Sequence, residues 1–177
     1  MSDSGSTAAI RALAESKRLP AVILERWLAM QPESREAILA AARDLRMRTA
    51  QIAVAIETLE EISVREDVSP AAILNRAELR RIIAGPGAAP ARAGKLLDAL
   101  RTIRYPRLSA ALARLRAEIR ALKLPATIAI AVPKDLASDE LTISLKIRSA
   151  DELERALEAL ADKSTELRRI IDLLGGR

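Results

Sequence analysis

Basic side chains are concentrated in one stretch of the chain, where they could bind phosphate groups. The 32 residues from Arg92 to Lys123 contain nine basic residues, opposed only by Asp98 and Glu118, so this stretch has a net charge of +7. The whole chain has a net charge of +5, so the remainder sums to −2. Arginine forms paired hydrogen bonds with phosphate oxygens, and such a local excess attracts polyanions. The residues predicted to bind nucleic acid are Arg101, Arg104, Arg107, Arg114, Arg116, Arg120 and Lys123.

Two other roles for these cations stay open. Carboxylates between Glu57 and Asp67 could pair with them inside the molecule, or an acidic partner protein could bind them, as in an adaptor or regulatory subunit. Trp27 and Tyr105 are the only aromatic residues, so stacking on unpaired bases has little support. Duplex DNA, bound through its phosphates, is therefore the nucleic acid that the sequence favours.

The chain contains few of the residue types that usually carry out catalysis. Cys and His are both absent, which excludes disulfides, the usual zinc sites and every Cys- or His-based catalytic arrangement. The glycine-containing segment 85–94 lacks the spacing of a phosphate-binding loop. The sequence predicts no catalytic residue, no cofactor and no metal. It also shows neither a signal peptide nor an apolar run of about 18 residues, which predicts a cytoplasmic protein without a membrane partner.

A helix-turn-helix DNA reader is a further hypothesis, centred on Ile38 to Ile56. Ala42 and Ile52 lie near the expected offsets around a corner at Arg46–Thr49. Arg46 stands where such a turn usually has glycine. One continuous helix from 35 to 66 is the alternative interpretation of the same residues.

Residue composition, together with the glycines and prolines that interrupt helices, predicts four segments of the chain. Residues 1–18 are small and polar, which is typical of a disordered lead. Residues 19–84 contain apolar positions at helical spacing and predict a helical domain around Trp27. The Gly/Pro-rich segment 85–94 is the predicted linker. Residues 95–177 are predicted to hold basic helices and an assembly unit.

That assembly unit has two distinct hydrophobic periods. Apolar residues recur at alternating steps of four and three from Leu108 to Leu122, which is typical of a packed helical seam. Alternation with a period of two then predicts a hairpin, and Ser149 with Glu152 predicts the capped start of a last helix. A hairpin of two strands leaves both edges unpaired, which a second copy could cover. The predicted dimer interface comprises Leu108, Leu112, Leu115, Ile119, Leu122, Ile143, Leu145, Leu153 and Leu157.

The order helix, strand, strand, helix, with the entry Ser149-Ala150-Asp151-Glu152-Leu153, resembles the C-terminal dimerisation domain of the ParB/Spo0J-type chromosome-partition proteins. The matching segments are 112–124, 127–132, 140–148 and 149–157. The resemblance implies a two-fold dimer formed by paired strands and helices, and in some members DNA binding without sequence preference. The arginine-rich nucleotide-binding motifs of that family are absent here, so the resemblance extends to dimerisation and DNA association alone.

The sequence therefore predicts an α+β fold that is mostly α, with an N-terminal helical bundle followed by a C-terminal helix–β-hairpin–helix unit. The predicted function is that of a non-enzymatic homodimer that associates with duplex DNA.

Overall fold

Helices dominate the chain because leucine, isoleucine and alanine recur at helical spacing and prolines mark several helix starts. The computed structural model describes residues 3–133 and 140–174. The first helices are α1 (Asp3–Lys17), α2 (Ala21–Ala29), α3 (Pro32–Asp44), α4 (Thr49–Glu66), α5 (Pro70–Leu74), α6 (Ala77–Ala84) and α7 (Ala89–Arg104). They are followed by α8 (Pro106–Ala121), β1 (Ile128–Ala131), β2 (Thr142–Leu145), α9 (Ala150–Asp162) and α10 (Ser164–Leu174). The predicted fold class, α+β and mostly helical, is confirmed.

The boundary between two compact units lies at Tyr105, later than the sequence predicted. The units are Met1–Arg104 and Tyr105–Arg177. Residues 95–104 do not begin the second unit, because they continue α7, whose Leu96 and Leu100 are buried in the core of the first. Tyr105 precedes a proline and leaves the helical region, with φ −124° and ψ 66°. A residue before proline resists helical geometry, so the chain breaks here.

The predicted disordered lead is instead helix α1. Ile10 is completely buried and Ala14 nearly so, and Ile10 packs in the same core as Trp27. Apolar residues at positions 10 and 14 lie on one helical face, which the small polar residues around them obscured. The Nε1 of Trp27 donates a hydrogen bond to the Arg35 carbonyl at 3.3 Å, so the indole is buried with its polar atom paired.

The predicted linker 85–94 is also mostly packed structure. Helix α7 begins at Ala89, and Ala93 is completely buried. The Arg92 guanidinium donates hydrogen bonds to the carbonyls of Ile83 and Asp44, at the ends of α6 and α3. Helix ends leave carbonyl groups unpaired, and arginine is well suited to satisfy two of them. Only Gly85 to Ala88 separates α6 from α7, and Gly87 has a φ of +106° that favours glycine.

Truncating Ile10 tests whether α1 belongs to the core. We expect Ile10→Ala to lower the free energy of unfolding by about 2–5 kcal/mol, because a buried isoleucine loses its packing and leaves a cavity. Urea denaturation followed by circular dichroism measures this change. The neighbouring exposed substitution Arg11→Ala should stay within about 0.5 kcal/mol of the unmodified protein. Equal stability of the two variants would mean that α1 does not dock.

The second unit forms its core between α8 and α10. Leu115 of α8 and Leu122 at its C-terminal end pack with Leu167, Ile170 and Leu174 of α10. Leu115 and Leu122 are seven residues apart, and the α10 residues recur at steps of three and four, so each set forms one apolar stripe. The apolar seam predicted from the sequence therefore packs against α10 within the same unit.

The predicted hairpin is present as two strands of four residues. They pair antiparallel, with Ile128 opposite Leu145 and Ile130 opposite Ile143. Opposite residues of an antiparallel pair point to the same face, so the four apolar side chains share one face, as the alternation predicted. The sequence also predicts a turn over Pro133 to Asp139 and a helix stop at Gly175-Gly176, but residues 134–139 and 175–177 lie outside the described residues.

The predicted pair Ser149 and Glu152 caps the start of α9, but the return bond goes to the Arg148 amide and not to that of Ser149. The Ser149 Oγ accepts a hydrogen bond from the Glu152 amide at 3.2 Å, and the Glu152 carboxylate accepts one from the Arg148 amide at 2.8 Å. These bonds satisfy amides that a helix start leaves unpaired, so they fix where α9 begins.

Candidate nucleic-acid and dimer interfaces

Helix α8 and Lys123, two residues after its end, present five cations to solvent, which we call the α8 cations. Inside the described ranges none of them forms an ion pair, whereas Glu118 of α8 pairs with Arg169 of α10. They flank the buried stripe of Leu112 and Leu115 on two sides of the helix, because residues three, four or seven apart share a face. The α8 cations are Arg107, Arg114, Arg116, Arg120 and Lys123.

Arg101 and Arg104 belong to the first unit and the α8 cations to the second, although the sequence grouped all seven. Both belong to α7 in the first unit. Arg104 pairs with Glu61 on α4. The backbone carbonyls of Ile103 and Arg104 also accept hydrogen bonds from Arg65. Arg104 therefore holds the end of α7 against α4, and the continuous basic segment of the sequence is divided at the unit boundary.

The acidic residues of α4 find partners within their own unit. Arg26 pairs with Glu60 and lies 3.7 Å from Glu57. The hydrogen bond with Glu60 raises the pKa of Arg26 above its usual value. Hydrogen bonds from Arg76 and then Arg65 lower the pKa of Glu66. Among the predicted nucleic-acid residues, Arg104 pairs with this acidic run through Glu61.

Helices α3 and α4 meet at the corner that the sequence singled out. Leu45 to Arg48 separate the two helices, so one continuous helix over 35–66 is excluded. Arg46 has a φ of +49°, the left-handed conformation that glycine usually supplies at such a turn. The five residues that anchor the corner are all buried: Ile38, Ala42, Leu45, Met47 and Ile52.

The outward side of α4 offers little for recognising base edges. Ala50 is exposed, and Val54 is 47% exposed. The side-chain oxygen of Gln51 accepts a hydrogen bond from the Arg48 amide at 2.9 Å, which caps the helix. Base-specific contacts in the major groove usually come from arginine, lysine, asparagine or glutamine. This face therefore suits methyl contacts and close approach more than base selection.

A second group of cations surrounds this corner and was missed by the sequence analysis. Because they are scattered through residues 17–48, no local charge excess marked them. We call this group the basic corner, and in the part of the chain that the structure describes none of its members forms an ion pair. Its members are Lys17, Arg18, Arg43, Arg46 and Arg48.

The predicted dimer-interface residues separate into two groups. Leu115 and Leu122 are buried in the core of the second unit and Leu112 is also buried, while Leu108, Ile119 and Leu145 are half-buried. The remaining predicted residues are exposed, and two large apolar residues of α10 join them. These five, which we call the exposed apolar set, are Ile143 (40%), Leu153 (40%), Leu157 (53%), Ile171 (46%) and Leu173 (52%).

Other candidate chemistry in the described residues is sparse. A cavity of about 210 Å³ in the first unit is lined mainly by apolar residues, among them Ala37, Leu74 and Ile83. Over residues 3–133 and 140–174, no group of three or more acidic side chains is placed to hold a metal ion. No helix of these ranges has the length and apolarity needed to span a bilayer.

Comparison with known proteins adds no relative to these observations. No protein-family model, curated protein or solved structure matches the chain. The resemblance of the C-terminal third to chromosome-partition proteins therefore rests on its own sequence pattern.

Proposed function

We propose that this protein is a non-enzymatic homodimer that associates with duplex DNA mainly through phosphate contacts. The observation that carries the proposal is the set of α8 cations, which are exposed and without an ion pair among the described residues. Unpaired arginines on one helix create a positive field, and neutralising DNA phosphates releases condensed counterions. We also propose the cytoplasm as its compartment.

Dimerisation is supported by the exposed apolar set. Five large apolar side chains at 40–53% exposure lie on β2, α9 and α10 of one small unit. Covering such side chains stabilises an assembly by about 25 cal/mol per Å² of apolar area. A second copy is the occupant we propose, because the sequence pattern of this unit resembles a dimerisation domain. Pairing two copies would also double the number of α8 cations available to one duplex.

We propose that α3 and α4, which are joined by the turn Leu45–Arg48, also approach the duplex. The outward face of α4 has Ala50 and Val54 where a selective reader would have hydrogen-bonding side chains. We therefore propose duplex association with weak base preference, in which phosphate contacts provide most of the affinity.

Titration of a random-sequence duplex at several salt concentrations tests this proposal. We expect binding at low salt, with an affinity that falls by roughly 10³-fold or more between about 50 and 200 mM salt. Light scattering should give twice the chain mass of 19.2 kDa. Absence of binding at low salt would contradict the proposal. It would favour the alternative, an adaptor or regulatory subunit whose cations bind an acidic partner protein.

A further inference from the structure

We propose that the basic corner is a second phosphate-binding site for duplex DNA, formed in the first unit by the ends of α1 and α3. The proposal rests on the duplex association proposed above and adds a site on the other unit. Arg18 and Arg46 are its central residues.

Arg18 and Arg46 end their helices with the same backbone motif. The Arg18 amide donates to the Glu15 carbonyl at 3.1 Å, and the next amide, that of Leu19, donates to Ala14 at 2.8 Å. At α3 the amides of Arg46 and Met47 make the corresponding bonds, at 3.0 and 2.9 Å. The φ angles of Arg18 and Arg46 are +53° and +49°. Each arginine therefore occupies the left-handed position where glycine is the usual helix-ending residue.

The two helix ends are joined at the start of α4. The Thr49 hydroxyl, on the first residue of α4, donates a hydrogen bond to the Lys17 carbonyl, at the last residue of α1. Arg46 and Arg48 lie within three residues of Thr49 in the chain. This bond therefore brings Lys17 and Arg18 beside the turn between α3 and α4, although about 30 residues separate them in sequence.

Stability alone does not explain arginine at these two positions. A non-glycine residue in the left-handed region costs about 1–2 kcal/mol. A cation near a helix C-terminus recovers about 0.3–1 kcal/mol of this, and less when it is exposed in salt. Glycine would avoid the cost at both sites. Local backbone strain is often concentrated at functional sites, and here it coincides with exposed cations that form no described ion pair.

The cations of the basic corner differ from the arginines that pack on α4, because the latter form ion pairs. Arg26, Arg65 and Arg76 of the same unit each pair with a carboxylate of α4. The basic corner has five cations, with Glu15 and Asp44 as the acidic residues closest to them in sequence. A concentrated positive surface that has no ion pair among the described residues, at the turn between α3 and α4, fits the repeating phosphates of a duplex.

Replacing both left-handed arginines by glycine tests the proposal in the full-length protein. Arg18→Gly with Arg46→Gly should leave the midpoint of urea unfolding unchanged or higher, because glycine tolerates the left-handed backbone. Affinity for a random-sequence duplex should fall at least about tenfold. The slope of log affinity against log salt should decrease by about one for each phosphate that the protein no longer neutralises. The double variant would then bind DNA more weakly although its resistance to urea is unchanged or higher.

Two controls make the result specific. Arg80→Ala with Arg81→Ala removes the same charge from exposed positions of α6 and should change the affinity by no more than about twofold. Asp67→Gly places glycine at the left-handed end of α4, where φ is +53°, and should not weaken binding. If the double glycine variant binds duplex DNA like the unmodified protein, the basic corner is not a site, while the proposed function stands. If the unmodified protein binds no duplex at low salt, both proposals fail.

Discussion

Changing Leu153 and Leu157 to aspartate should convert the protein from a dimer into a monomer without unfolding either unit. Both side chains lie on α9, and 40% and 53% of their surface is exposed in the single chain. Aspartate is therefore hydrated in the monomer, but a dimer interface would bury four added charges. If each replaced leucine contributes on the order of 1 kcal/mol of burial, the dissociation constant should rise roughly 10³-fold. Light scattering at micromolar concentration would show the halved mass, and circular dichroism would show retained helix content.

The choice of residues matters for this test. Leu115 belongs to the same predicted interface, but it is only 4% exposed and packs with Leu167 and Ile170 in the core of the second unit. Aspartate at position 115 would bury an unpaired charge and unfold that unit, so it would not report on association. Val64→Asp, at an 86% exposed position of the first unit, is the matched control and should leave the mass unchanged. An unmodified protein that is monomeric, or a Leu153/Leu157 variant that stays dimeric, would contradict the proposed interface.

Neutralising three α8 cations should remove most of the affinity for duplex DNA. We expect Arg114→Gln, Arg116→Gln and Arg120→Gln together to lower the affinity by at least about 100-fold near 0.1 M salt. The slope of log affinity against log salt should fall by about three per chain. Glutamine is a good helix former, so α8 should keep its structure. Fluorescence anisotropy with a labelled random-sequence duplex measures both quantities.

A matched set of charges elsewhere in the second unit decides whether position matters. Arg148, Arg155 and Arg168 are exposed and lie outside α8. Replacing these three by glutamine removes the same charge and should weaken binding much less. An equal loss of affinity in the two sets would show that total charge, and not the surface of α8, attracts DNA. If the α8 variant binds duplex DNA as tightly as the unmodified protein, the α8 cations do not contact phosphates.

Local sequence signals determined several elements of this protein. The capping pair Ser149 and Glu152 located the start of α9, since its hydrogen bonds connect residues that are close in the chain. The alternation of apolar residues predicted the shared face of Ile130 and Ile143. The interruption near Arg46 was also visible, because it separates two helical periods. Each of these features depends on neighbours within a few positions.

Tertiary structure alone decided what the apolar stripes and the charges contact. The stripe of α8 has the same spacing whether its partner is α10 or a second copy, so the burial of Leu115 could not be inferred from its period. Residues 3–17 look dispensable until Ile10 meets the core around Trp27. Arginine side chains also differ in their role, because some form ion pairs with carboxylates of α4 and others form none among the described contacts.

The positively charged residues show this division most clearly. The nine cations between Arg92 and Lys123 are visible in the amino-acid sequence alone. The structure divided that segment at Tyr105, paired Arg104 with Glu61 and left the α8 cations without a described ion pair. It also assembled the basic corner from residues about 30 positions apart. Electrostatic fields depend on distances in space, and only the packing of α1, α3 and α4 sets those distances.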